Sequence, residues 1–119
     1  MAEPNAHEQL LIELVNRARL DPAGEAARFG IALNTGLAAG TISSSPKQVL
    51  APNLLLIDAA RGHSQWMLDA DVFSHTGVGG SNPGQRMSAA GYQFTGSWTW
   101  GENIAWQGTT GTPNVTAYT

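Results

Sequence analysis

Two apolar stripes of helical period, held apart by a long stretch almost without core-forming residues, constrain this chain most. The first places Leu10, Leu11, Leu14, Val15 and Ala18 on one face, a spacing near the 3.6-residue helical period that predicts a helix. Asn5 and Glu8 stand at capping-box spacing ahead of it. Its polar face carries Glu8, Glu13 and Arg17, and Glu13 and Arg17 are placed in the favourable order for an ion pair one turn apart. The second stripe runs from about Leu55 to Ala70, with Ile57, Ala60, Ser64, Met67 and Leu68 marking its expected inner face. Asp58 lies near its start, where the helix dipole favours a carboxylate. Between the two helices, Asp21-Pro22 closes the first and can open a short third one over Ala23–Phe29, stopped by Gly30. Ile31–Asn53 then holds Asn34-Thr35-Gly36, Gly40, Ser43-Ser44-Ser45-Pro46 and Ala51-Pro52-Asn53. That composition predicts a loop, and a loop so long argues against a simple helical bundle.

After the second long helix, Phe73–Gly80 is expected to be a glycine-rich loop. Asn82-Pro83-Gly84-Gln85 is a helix start, with Asn as cap, Pro at the first position and Gln at the third. That helix should run to Ala90 and stop at Gly91. In Gln93–Trp100, Phe94, Trp98 and Trp100 share one parity and Thr95, Ser97 and Thr99 the other, a period-2 pattern that predicts a strand. Gly108–Thr119 reads as a loop or frayed tail.

The 119 residues make one domain at most, with enough chain for a core. The absence of cysteine excludes disulfides and thiolate metal sites. Apolar residues at 42% against 13% charged are the reverse of a disordered composition. A net charge of −3 with six scattered cations provides no basic stripe, so nucleic acid is not an expected partner. No apolar run approaches the ~18–20 residues of a membrane span, and Glu13 interrupts the nearest one, Leu10–Val15. No cationic, apolar leader opens the sequence, so an export signal would lie outside these residues.

Several short motifs fail on inspection. His7-Glu8 begins like a zinc-protease H-E-x-x-H, but Leu11 stands where the second histidine is needed. Gly62-His63-Ser64-Gln65-Trp66 resembles a nucleophile elbow, but it ends in Trp66 and lies within a helical pattern, which makes Ser64 a small packing residue. Gly77-Val78-Gly79-Gly80 lacks the preceding strand and following lysine of a phosphate loop. Asn114-Val115-Thr116 is a formal glycosylation triplet. Arg19, beside Asn16 at the end of the first helix, suits helix-terminal carbonyls or a core carboxylate. The four indoles Trp66, Trp98, Trp100 and Trp106 serve either packing or a binding surface. His75 and Glu102 are the pair of interest. His75 lies in the glycine-rich loop two residues before Gly77 and Glu102 directly follows Gly101, glycines that permit tight turns, and an imidazole with a carboxylate is half of a divalent-metal site. Two ligands alone do not hold a metal, and on spacing alone the plainer reading is preferred: a loop histidine on backbone and a glutamate on local amides.

Five blocks occur in order: Leu14-Val15-Asn16-Arg17-Ala18-Arg19, Asp58–Met67, Phe73-Ser74-His75-Thr76-Gly77, Arg86–Tyr92 and Gly101-Glu102-Asn103-Ile104-Ala105. Together they resemble the CAP superfamily (SCP-like; cysteine-rich secretory, antigen-5 and pathogenesis-related proteins), and more closely its cysteine-free bacterial branch, from about His7 to Trp106. The resemblance implies an α+β fold, a CAP-like α-β-α sandwich. Its later pattern is absent, so the chain is expected to be the N-terminal portion of one such domain, mostly helical with at most a small antiparallel sheet. It implies a cleft of two histidines and two glutamates, in which His75 matches the first histidine and Glu102 the first glutamate, with Ser74 and Asn103 as structural cleft residues. Some members bind a divalent metal such as zinc there, and by resemblance this chain holds half of that site.

The resemblance further implies a secreted or cell-surface domain that acts by binding lipid, protein or metal, without established catalysis. The alternative is a metal-dependent hydrolase or protease whose His/Glu set is completed beyond Thr119. The two long helices need a partner for their apolar stripes, so self-association is also expected.

Overall fold

The structure is a computed structural model that describes residues 3–108 and 110. Four α-helices account for most of its regular structure: α1 (Ala6–Leu20), α2 (Pro22–Arg28), α3 (Leu54–Ala70) and α4 (Pro83–Ala89), with a 3-10 turn at Val78–Gly80. No strand occurs among the described residues. Chain contacts divide the molecule into two compact units, Met1–Ile57 and Asp58–Thr119. The glycosylation triplet and nearly all of the Gly108–Thr119 tail lie outside the described residues.

In the first unit the helix ends follow from their capping chemistry. The Glu8 amide donates to Asn5 Oδ1 at 2.9 Å, and the Asn5 amide donates to Glu8 Oε1 at 2.8 Å. This reciprocal box satisfies two donors that the first helical turn would leave unpaired. Asp21 serves two helices. Its amide donates to Arg17 O at 3.2 Å, closing α1, and its carboxylate accepts from the Gly24 amide at 3.0 Å, opening α2. The tight corner brings Glu25 beside Arg17, whose Nε and Nη2 both donate to its carboxylate at 2.8 Å. These two parallel bonds replace the expected Glu13–Arg17 pair, because a fork-to-carboxylate contact is geometrically better than a flexible pair along one helix face. Glu13 instead accepts from Gln9 Nε2 at 3.3 Å. The hydrogen bonds from Arg17 outweigh desolvation and hold the Glu25 carboxyl below its ordinary range.

The long loop has no helix or strand of its own, as its composition predicts, but it is tied to the end of α1. The Lys47 amide donates to Arg19 O, and Arg19 Nε donates to Gln48 O, both at 2.7 Å. Arg19 therefore binds a loop carbonyl, neither the helix-terminal carbonyls nor a core carboxylate. Asn16 completes the tie with two bonds to Leu50. Pro22 and Ala26 of α2 are buried, but no residue of α1 is. Leu10 and Leu11 of its stripe are 50% and 62% exposed.

In the second unit, α3 begins one residue before its expected start, but its buried side differs from the expected one. Ala60 and Ser64 are exposed and Leu68 is 76% exposed, whereas His63 is 3% exposed. The ring of His63 stacks on Trp66, with centroids 5.8 Å apart and planes 13° from parallel. A histidine with a carbonyl acceptor and an aromatic neighbour tolerates burial that hydropathy alone would deny it. Ser64 is thus not a packed residue. Helix α4 keeps its expected start: the Gln85 amide donates to Asn82 Oδ1 and the Asn82 amide to Gln85 Oε1, each at 2.8 Å.

The expected strand over Gln93–Trp100 does not form. Gly96 takes a φ of +66°, a left-handed conformation that reverses the chain in mid-segment. Phe94 and Trp98 meet across that bend at 4.5 Å between ring centroids, and Tyr92 stands edge-on to Phe94 at 5.0 Å on the near side of it. Their alternation served local stacking, not two faces of a sheet.

Candidate functional site

His75 follows the end of α3 in a loop whose shape is set by hydrogen bonds. The Val72 amide donates to Met67 O at 3.0 Å and ends the helix. His63 Nε2 then donates to Ser74 O at 2.8 Å, and the Thr76 amide donates to Ser74 Oγ at 3.0 Å. Ser74 thereby fixes the backbone on both sides of His75. Because a carbonyl can only accept, Nε2 carries the proton of His63. The buried Nδ1 of that ring has no hydrogen-bond partner.

Glu102 approaches the same place from a segment without regular structure. His75 Nδ1 donates to Glu102 Oε1 at 2.7 Å across 27 residues. Arg86 Nη2 donates to Glu102 Oε2 at 2.9 Å, and Arg86 Nη1 donates to Ser81 O at 2.8 Å. The guanidinium is buried, the glutamate largely so, and the imidazole is 57% exposed. Burial pushes the Glu102 carboxyl up, but the hydrogen bonds from His75 and Arg86 and the charge of Arg86 together outweigh it and hold the group below the usual carboxylate range. Glu102 is an acceptor for two donors at once, and it leaves His75 with Nε2 as the atom free to meet a ligand.

Gly77 makes this arrangement possible. A Cβ there would lie 2.8 Å from Arg86 Nη1 and 2.9 Å from His63 Nδ1. Only a residue without a side chain lets both buried groups close on that backbone.

The structure thus brings His75 and Glu102 together, and Ser74 stands behind them through its carbonyl and hydroxyl. Asn103 is exposed next to Glu102. Sequence reasoning missed Arg86 and His63 as members of this cluster. The signal for Arg86 was a cation in the short capped helix; for His63 it was a histidine within an apolar helix. The donor set fits part of a divalent site, an imidazole oriented by a carboxylate, and no group of three or more His, Asp or Glu side chains suited to a metal occurs among the described residues. A separate open groove of about 800 Å³ is lined by Met67, Leu68, Val72, Phe73 and Trp106 among others. No helix among the described residues is long and apolar enough to cross a membrane. No family model, no curated protein and no solved structure matches the chain.

Proposed function

We propose that this chain is a CAP-like, SCP-type domain that acts by binding, and that His75 with Glu102 forms the oriented half of a divalent-metal cleft. The observation that carries the reading is the 2.7 Å bond between two side chains far apart in sequence, the two residues that the resemblance assigns to one cleft. A histidine that donates one nitrogen to a carboxylate presents the other as a better-defined and more basic ligand. In this reading His75 Nε2 is the metal ligand, and Glu102 orients it from behind.

The same reading makes the helices part of an α+β sandwich and the protein a secreted or cell-surface one, as in the family it resembles. The apolar groove beside Trp106 supports a lipid or protein ligand, and the exposed leucines of α1 support self-association. Zinc is the probe. Equilibrium dialysis should show uptake by the protein and a clear loss of uptake by His75→Ala. Equal uptake by both removes His75 from the site.

A further inference from the structure

We propose that Arg86 is the positioning residue of the His75–Glu102 pair: it holds one carboxylate oxygen so that the other sets which nitrogen of His75 carries the proton. The inference rests on His75 and Glu102 being the binding pair proposed above.

Glu102 lies in a segment with no strand pairing, so no backbone ladder fixes its side chain. Its direction comes from its two donors. One of them, His75, is the residue to be oriented. The other is Arg86, which is 9% exposed and held at both ends of its fork, at Ser81 O by Nη1 and at Glu102 Oε2 by Nη2. A guanidinium is planar and permanently charged, so two such contacts fix a direction that a lysine ammonium would leave free. The backbone of Arg86 is anchored in turn, its amide donating to Asn82 O at 3.2 Å at the capped start of α4. Gly77 leaves the guanidinium its space.

The consequence falls on His75. A neutral imidazole in water carries its proton mainly on Nε2. A fixed carboxylate acceptor at Nδ1 reverses that preference and leaves the lone pair on Nε2. Arg86 would therefore act on ligand binding without touching the ligand.

The test reads the tautomer directly, on the metal-free protein, from the two-bond ¹⁵N–¹H correlations of the neutral ring. Wild-type His75 should show the Nδ1–H pattern. His63, which donates through Nε2, supplies the opposite reference in the same spectrum. Arg86→Met should lose the Nδ1–H pattern at His75 in favour of Nε2–H. Arg86→Lys, which keeps the buried charge without the fork, should fall between. An unchanged His75 pattern in whichever variant stays folded overturns the proposal. So does an Nε2–H pattern in the wild type, and so does loss of the far-ultraviolet helix signal in both variants, which would make Arg86 a fold determinant alone. Zinc dialysis is independent of this readout. Failure of zinc uptake with the tautomer shift intact would remove the metal reading and leave the role of Arg86 standing.

Discussion

Asn16 and Leu50 are joined through a single side-chain amide across 34 residues: Asn16 Nδ2 donates to Leu50 O at 2.9 Å, and the Leu50 amide donates to Asn16 Oδ1 at 2.7 Å. The amide imitates the two-bond exchange of a peptide group in an antiparallel ladder, and it stops the long loop from drifting off the end of α1.

Asn16→Ala removes both bonds and should cost about 1–2 kcal/mol. Hydrogen exchange is the check, since the Leu50 amide should lose protection. Asn16→Asp keeps the acceptor for that amide and should fall between the two. Unchanged Leu50 exchange in Asn16→Ala would show that the loop is held by other contacts.

Gly77→Ala places a methyl group against the guanidinium of Arg86 and the ring of His63, at 2.8 and 2.9 Å. Neither buried group is a free chain end that can swing away. Urea unfolding should show a loss of about 1–3 kcal/mol, the usual range for overpacking.

Gly84 presents a case with two signs. In α4, alanine is favoured over glycine by up to about 1 kcal/mol, yet a Cβ at Gly84 would lie 2.6 Å from Trp100 Nε1. Gly84→Ala alone should destabilise the protein and shift tryptophan emission to the red as the indole of Trp100 is displaced. In a Trp100→Ala background the same substitution should stabilise. Additive effects in the two backgrounds would rule out the contact.

Acid should act on Glu102. Its carboxyl is held below the ordinary range, so the unfolded chain takes up this proton first as pH falls. The stabilisation is complete above the ordinary glutamate value of about 4.3 and is lost progressively as pH drops from there through the lowered value. Glu102→Gln should flatten that acid limb in urea unfolding measured across it. It will not abolish the limb, because Glu25 is shifted in the same direction.

The caps were the most legible features. Asn5, Asp21 and Asn82 each form the bond their position predicts, because a cap depends only on residues within one turn. The buried side of α3 was not legible. The periodicity of Ile57, Ala60, Ser64, Met67 and Leu68 selects one face, and a histidine bonded to Ser74 O is buried on another. Alternation over Gln93–Trp100 predicts a strand only when a partner pairs with it, and Gly96 turns the segment back on its own rings. At the site, spacing alone favours the plainer reading of His75 and Glu102, because two ligand-type residues 27 positions apart carry no local sign of meeting, and only the resemblance places them in one cleft. Arg86 was not legible either, since its role comes from Ser81 and Glu102 together, and no local spacing encodes that.

Helix α1 spans 15 residues and buries none of them. Isolated helices become marginal in water at about 12–15 residues, so α1 depends on its two caps, the Arg17–Glu25 clasp and the loop ties at Asn16 and Arg19. On warming it should shorten turn by turn from its N-terminal end, which the Asn5–Glu8 box holds and the loop ties do not reach, instead of vanishing in one step, and a single melting midpoint will not describe it.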